Sequence, residues 1–522
     1  MKLSYFAKGL VFVLVITCLV GALIFTNRIL AGDAFDREEA SHGLYSMWIW
    51  RDLTRADWSA FWYDTGRQMV WPFLHSWIQA GFFMIFGVGY ASARALSLIL
   101  FALSILLVYL LANKLSARQG WQIGSLTALL MLSSPLMLSF ASENMIEPLG
   151  AVLFLGATYL YLICEERKLT LFYAFLAVAI GLSIYTHYVY AFLMMPAFLV
   201  ATLIKLEPVV VDALKLKKRG EISAMSFVWW AYKKLIVLGV ILVLAGIWFS
   251  FNFSRRFFLM LDTLLRSGAG QGLGWLQSLI YYPKLIVTQL TFSPWLGLFI
   301  LAALFLPFTA KYYEGLKKLY VFVWTVIILA ALVISTKAPR IIYIIMPFIF
   351  MIFSAVFFNF FERLNLRDKR LAWLLVLALF LPSLVSLPKI FEIYGPQRPG
   401  QSMISVLDYF AANVPAGAEI GSLINLRHFN DDVLRFHFRD WDDRVLSHDI
   451  LENGRGLGGD VYLLTFELER TSPYQKDLQN DSLYRWNAWL KDQESSGQVL
   501  VHSARHFERI GLTARIYRSK PL

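Results

Sequence analysis

From Gly9 to Leu387 the chain is a succession of apolar runs, most of them bounded at one end by a short loop holding lysine or arginine. An apolar run of ~20 residues, when helical, matches the hydrocarbon thickness of a bilayer. Lipid offers no water to backbone groups, so only helices and closed barrels can cross it. These runs read as helical spans. Only 16% of the 522 residues are charged and 58% are hydrophobic, against ~25% charged in soluble domains. An integral membrane protein is expected.

The formal net charge of +12 needs no nucleic acid to explain it, because lysine and arginine collect in cytoplasmic loops. Cys18 and Cys164 lie far apart within apolar segments, so neither a disulfide framework nor a cysteine metal site is implied. The first run, Gly9 to Leu30, is longer than the ~7–15 residue core of a signal peptide, and Ala31-Gly32-Asp33 is a weak cleavage site. It is expected to stay as a first span.

With Lys2 and Lys8 inside, span one leads outward. Trp71 to Gly87 is short and contains His75 and Gln79. Reading it as an interfacial or re-entrant helix, rich in Trp and Phe, keeps the later basic loops inside. Spans then follow at Ala93 to Leu111, Trp121 to Phe140, Leu149 to Ile163 and Leu171 to Tyr185, and a sixth ends at Lys205. The most basic loop, Lys215 to Lys234, precedes a seventh at Leu235 to Phe251. Trp275 to Phe292 reads as a second interfacial helix. Spans at Trp295 to Phe308 and Leu319 to Ser335, a tenth ending at Glu362, and one at Leu371 to Leu387 complete the set. The expectation is an α-helical polytopic membrane protein with about eleven transmembrane helices plus interfacial helices, its N-terminus cytoplasmic and its C-terminus extracytoplasmic.

Composition turns soluble near Pro396, so the predicted domains are 1–392 in the membrane and 393–522 as a small extracytoplasmic α/β domain. Met403 to Ala412 and Leu483 to Leu490 read as helices, with strands at Glu419 to Ile424, Val461 to Phe466, Val499 to Ser503 and Ala514 to Tyr517. His428, Asp431, Asp432 and His437 read as a solvated helix, and Asp440-Trp441-Asp442-Asp443 as surface. Gly454 to Gly459 lacks the strand–turn–helix setting of a phosphate loop and reads as a turn.

The charge that such a chain places near lipid asks for a task. Asp33 to Gly43, just past the first span, holds Asp36, Glu38, Glu39 and His42. The expected topology puts this stretch on the same side as Glu143, Glu147, His187, Lys337 and Arg340. Loops carry charges in any case, and Arg340 before an apolar run could simply snorkel. Glu147 is harder to dismiss. It precedes Pro148 and an apolar span, and a carboxylate at full depth costs roughly 2.5–3.5 kcal/mol, so it usually has a partner or a role.

The order of these features resembles membrane-embedded GT-C glycosyltransferases of the protein O-mannosyltransferase and aminoarabinose (lipid A) transferase type. The pieces that carry the resemblance are Asp36 to His42, Trp71 to Trp77 with Phe86-Gly87-Val88 and Ala93-Arg94, Glu147-Pro148, and Lys337 to Tyr343 before Pro347. Where that family's first motif reads Asp-Glu and a small residue, this chain has Glu38-Glu39-Ala40, with Asp36 as the other carrier of the acid. The resemblance implies a polyprenyl-phosphate-linked sugar as donor, a lipid, glycan or protein acceptor at the outer face, and no nucleic acid. It implies inverting single displacement with a carboxylate as general base.

On this reading Glu38 or Asp36 is the base, with Glu39 beside them, and Glu147 positions acceptor or sugar. Arg340, Lys337, His187 and Arg94 bind the donor phosphate, and His42 and Glu143 help position the acceptor or sugar. The resemblance makes no cofactor certain and leaves a divalent cation possible. A flippase or transporter for a lipid-linked sugar would favour mid-span charges and repeat symmetry, which the sequence lacks. A polysaccharide polymerase or ligase would favour a large loop between spans.

Overall fold

In the computed structural model, the residues described are 4–218 with short breaks at 69–70, 117 and 168–169, scattered positions between 239 and 258, 275–306, 314–363 without 335–336, and 402–519 without 441, 447–459, 470–471 and 478–481. The expected span Leu371 to Leu387, most of Leu235 to Phe251, and the glycine-rich Gly454 to Gly459 lie outside them.

The helices of the first part are α1 (Tyr5–Ile24), α2 (Arg37–Thr54), α3 (Trp58–Gly66), α4 (Leu74–Phe86), α5 (Tyr90–Leu115), α6 (Gly120–Leu132), α7 (Pro135–Ser142), α8 (Glu147–Arg167), α9 (Thr170–Thr186) and α10 (Tyr188–Lys218). After these come α11 (Trp275–Thr288), α12 (Pro294–Phe305), α13 (Glu314–Leu332), α14 (Pro339–Tyr343) and α15 (Met346–Arg363). The last part alternates: α16 (Met403–Asn413), β1 (Glu419–Gly421), α17 (Asp431–His437), β2 (Val461–Leu468), α18 (Ser482–Ser495), β3 (Val499–Phe507) and β4 (Leu512–Ser519).

Among the described residues, three helices are long and apolar enough to cross a bilayer: Tyr5–Ile29, Tyr90–Leu115 and Glu147–Cys164. A fourth crossing is available if α6 and α7 count as one bent element. α4, with 13 residues, rises only about 20 Å, short of the ~30 Å hydrocarbon layer.

Two expected spans are interrupted. Trp121 to Phe140 is not one helix, because α6 and α7 meet at a 69° bend. Ser134 starts the second piece as its N-cap, accepting from the Met137 N–H, and Pro135 takes the first helical position, where its missing N–H costs nothing. Near the tenth span, α14 opens on Pro339 and ends before Met346 begins α15.

The chain divides into two compact units, the first formed by Met1–Phe25, Trp62–His75 and Leu96–Ile393, the second by Thr26–Phe61, Ser76–Ala95 and Tyr394–Leu522. The second unit is built on a four-stranded sheet of order β1-β2-β4-β3, parallel between β1 and β2 and antiparallel elsewhere. β2 is buried along most of its length, and its core is continuous with Phe35, Ala40, Leu44 and Met47 from the start of the chain. The C-terminal residues and the acidic segment thus share one hydrophobic core.

Two expectations fail here for that reason. α17 is not a solvated helix: Val433, Leu434 and Phe436 are buried, and Phe436 packs on Phe35 and Tyr90. Asp442 is not at the surface but 3% exposed. It accepts from Trp48 Nε1 at 2.5 Å and from Arg51 Nη1 at 2.6 Å.

Candidate functional site

In the second unit, the acidic segment is organised by helix capping. Asp36 is the N-cap of α2, accepting from the Glu39 N–H at 2.9 Å, while Glu39 Oε2 accepts from the Asp36 N–H at 3.1 Å. This reciprocal capping box comes from Asp-x-x-Glu directly before an apolar pattern. Glu38 and Glu39 occupy the first turn, where carboxylates are favoured by the helix dipole. Asp36 is half-buried; burial, then the Glu39 carboxylate, raise its pKa, against the Glu39 N–H and Arg427, which lower it.

Arg94, on the first turns of α5, is spent on this segment. Its Nε donates to Glu39 Oε1 at 2.8 Å and its Nη2 to Glu39 Oε2 at 2.7 Å. Nη1 reaches the Asp33 carbonyl at 2.8 Å and Nη2 the Ala34 carbonyl at 3.4 Å. Both Arg94 and Glu39 are buried. A side chain at Gly32 would place a Cβ 2.6 Å from Arg94 Nη1, so glycine is what lets the loop close on the guanidinium. His42 is buried one turn into α2, and Ser46 Oγ lies 2.7 Å from its carbonyl and 2.5 Å from Gln79 Oε1, the single hydroxyl proton serving one of the two.

In the first unit, Glu147 begins α8 and is 2% exposed. Its charge acts on both Tyr190 and Tyr343. The Tyr190 hydroxyl is also 3.5 Å from the Arg340 carbonyl. Gly150, one turn along α8, allows this approach: a Cβ there would lie 2.6 Å from the Tyr190 ring. The turn before Glu147 is pinned by Ser97, whose Oγ lies 3.2 Å from both the N–H and the carbonyl of Met145. Glu143 caps the end of α7 and accepts from Ser139 at 3.0 Å.

His187 separates α9 from α10 and its Nδ1 accepts from the Val189 N–H at 3.0 Å. Burial, and then the Arg340 charge, lower its pKa to about 3. At neutral pH it is a neutral imidazole with its proton on Nε2, a hydrogen-bond donor and not a cation. Lys337 is buried with its ammonium directed at the end of α13, where it donates to the carbonyls of Ala330 (2.9 Å), Ala331 (2.8 Å) and Ile334. These are the acceptors a helix C-terminus leaves open.

Among the described residues, no group of three or more His, Cys, Asp or Glu is placed to hold a metal ion. The residues that sequence reasoning passed over are Tyr190, Tyr343, Arg427, Tyr474 and Asp442. Of these, Tyr343 closes the Lys337 to Tyr343 piece and Tyr190 follows His187 by three residues; the others left no local signal.

Residues 71–218 match the family described as dolichyl-phosphate-mannose-protein mannosyltransferase. A comparison with curated proteins finds no match. Among solved structures, the fold is similar to ArnT from Cupriavidus metallidurans bound to undecaprenyl phosphate, with a TM-score of 0.63, 13% identity, and coverage of 96% of this chain and 97% of that one. The apo ArnT structure gives 0.62 at 13% identity, covering 97% and 98%. An oligosaccharyltransferase of Archaeoglobus fulgidus, in its apo form, gives 0.52 at 12% identity over 87% of this chain and 69% of that one. The resemblance to GT-C glycosyltransferases is therefore met twice: the chain has the ArnT fold, and over residues 71–218 it carries the mannosyltransferase family's pattern.

Proposed function

We propose that this chain is an integral membrane glycosyltransferase that moves a sugar from a polyprenyl-phosphate carrier to an acceptor at the extracytoplasmic face. The observation that carries this reading is the fold shared, along 96% of the chain, with a protein crystallised on undecaprenyl phosphate. The family match across residues 71–218 supports it. Sidedness follows from the distribution of lysine and arginine, which also gives the cytoplasmic N-terminus and the extracytoplasmic segment 393–522.

The chemistry is a single displacement. A carboxylate of the acidic segment, Asp36 or Glu38, takes the proton from an acceptor hydroxyl or amine. The freed lone pair forms the new bond to the anomeric carbon on the face opposite the carrier. The anomeric carbon–oxygen bond breaks, its electrons leave on the polyprenyl phosphate, and configuration inverts. Glu39 is assigned to holding this segment through Arg94. Glu147, whose charge acts on Tyr190, positions acceptor or sugar. Arg340 stabilises the charge developing on the leaving phosphate, and neutral His187 adds a hydrogen bond through Nε2.

The test is transfer by membranes containing the full chain, supplied with undecaprenyl-phosphate-linked hexose and pentose in parallel. An Asp36→Asn, Glu38→Gln double variant should lose at least a hundredfold, the scale of a missing general base, and Glu147→Gln should lose transfer as well. Full transfer by both variants would sink the assignment.

A further inference from the structure

The acidic segment does not rest on its own helix alone. Within the second unit, residues from the last quarter of the chain reach it at successive points. The Tyr474 hydroxyl donates to Asp33 Oδ2 at 2.5 Å, and the Ile404 N–H to Asp33 Oδ1 at 3.3 Å. His428 Nδ1 lies 3.0 Å from the Ala34 carbonyl. The Ser41 hydroxyl donates to Asp432 at 2.5 Å. Between these fixed points, Arg427 Nη2 stands 3.6 Å from Asp36 Oδ2. α17 packs against α2, so the turn carrying Arg427 and His428 is set directly beside the cap.

We propose that Arg427 is a positioning residue for the Asp36 carboxylate, through which the C-terminal segment governs how that acid is aimed and held. The inference rests on the reading of this segment as the source of the general base. The groups that act on Asp36 are few. Glu39 and Glu38, on α2 itself, oppose its negative charge, and Arg427, from the turn before α17, favours it. Arg94, from α5, has its guanidinium committed to Glu39 and two carbonyls. The Asp36 carboxyl is also geometrically fixed on one side, where Oδ1 takes the Glu39 N–H. Oδ2 is the oxygen turned toward Arg427. A cation there holds the second oxygen and keeps the group ionised, as a base requires.

The experiment uses the full-length protein in lipid nanodiscs: wild type, Arg427→Gln and Arg427→Lys. Arg427 is largely exposed, so both variants should fold. A water-soluble carbodiimide with glycine ethyl ester labels carboxyl groups in their protonated form, and mass spectrometry of the Asp36 peptide across pH gives the labelling midpoint. We expect the midpoint to move up in Arg427→Gln and to return to the wild-type value in Arg427→Lys. One midpoint for all three proteins overturns the proposal. In parallel, the acidic limb of the pH–rate profile for transfer from an undecaprenyl-phosphate-linked sugar should move with the labelling midpoint. A labelling shift with an unmoved acidic limb overturns the functional half, because Asp36 would then be held by Arg427 without being the base. If the wild type transfers no sugar from any carrier tried, the glycosyltransferase reading fails by itself, and the labelling arm still decides the contact.

Discussion

Arg94 and Glu39 meet as a buried two-point pair, 2.8 and 2.7 Å between their nitrogens and oxygens, with the remaining guanidinium contacts closed by the Asp33 and Ala34 carbonyls. Removing one partner leaves the other as an uncompensated buried charge, which costs about 3–5 kcal/mol. Glu39→Gln and Arg94→Met should therefore each lower the thermal midpoint strongly, and an Arg94→Met, Glu39→Met double variant should recover much of the loss. A thermal-shift series in nanodiscs measures it. Equal, small losses in all three would show the pair to be dispensable.

Gly150 tests the Glu147 cluster without touching a charge. An alanine methyl would meet the Tyr190 ring at 2.6 Å, and overpacking of this kind typically costs about 1–3 kcal/mol. Gly150→Ala should push Tyr190 off Glu147 and cut transfer at least tenfold while the protein still purifies as a single species. Unchanged turnover would detach Tyr190 from the role of Glu147.

Lys337 and Arg340, three residues apart, should separate by phenotype. The Lys337 ammonium satisfies the end of α13, and hydrogen bonds to charged groups are worth roughly 1.5–3 kcal/mol. Lys337→Met should thus lower stability and leave the KM for the lipid-linked donor unchanged. Arg340→Gln should do the opposite. A raised donor KM in Lys337→Met would return that lysine to the phosphate.

pH dependence carries a fixed sign. His187 has its pKa lowered to about 3 and His437 to about 4, in each case first by burial and then by a neighbouring arginine, Arg340 and Arg439 respectively. Unfolded histidine titrates near 6.5, so between that value and the folded values the unfolded chain binds more protons. Stability should be flat above about pH 6.5 and fall as pH drops through this window. His187→Asn and His437→Asn should each flatten part of the fall in a pH series of thermal midpoints. A slope that both variants leave intact would assign it to other groups.

The parts that were legible in the sequence are those where local chemistry and tertiary packing agree. The apolar bodies of α5 and α8 follow from hydropathy and the places of the four strands from periodicity, because buried faces leave marks within a few residues. The bend between α6 and α7 was also written locally, in Ser134-Pro135, but the apolar run on both sides masked it. What could not be read is where charge goes in space. Asp442 looks like a surface acid among Asp440, Trp441 and Asp443, and only the arrival of Trp48 and Arg51, some 390 positions earlier, makes it a buried acceptor. Lys337 before Pro339 looks like a free cation until α13 is seen to end beneath it. Side chains that couple distant segments leave no spacing to recognise.

The joining of Asp33 to Tyr474 and of Ser41 to Asp432 spans 441 and 391 positions, and this sets a timetable for biosynthesis. At about 5–20 residues per second, the acidic segment waits roughly 20 to 90 s after synthesis before its C-terminal partners exist. During that interval Phe35, Leu44 and Met47 lack the C-terminal part of the core that later encloses them, and only early residues of their own unit such as Phe83, Tyr90 and Ala93 can cover them. A chain released early from the ribosome would expose these groups to proteolysis and aggregation. Quality control can therefore remove it, and the acid-bearing loop takes its final form only in a chain that has been made through to the last strands.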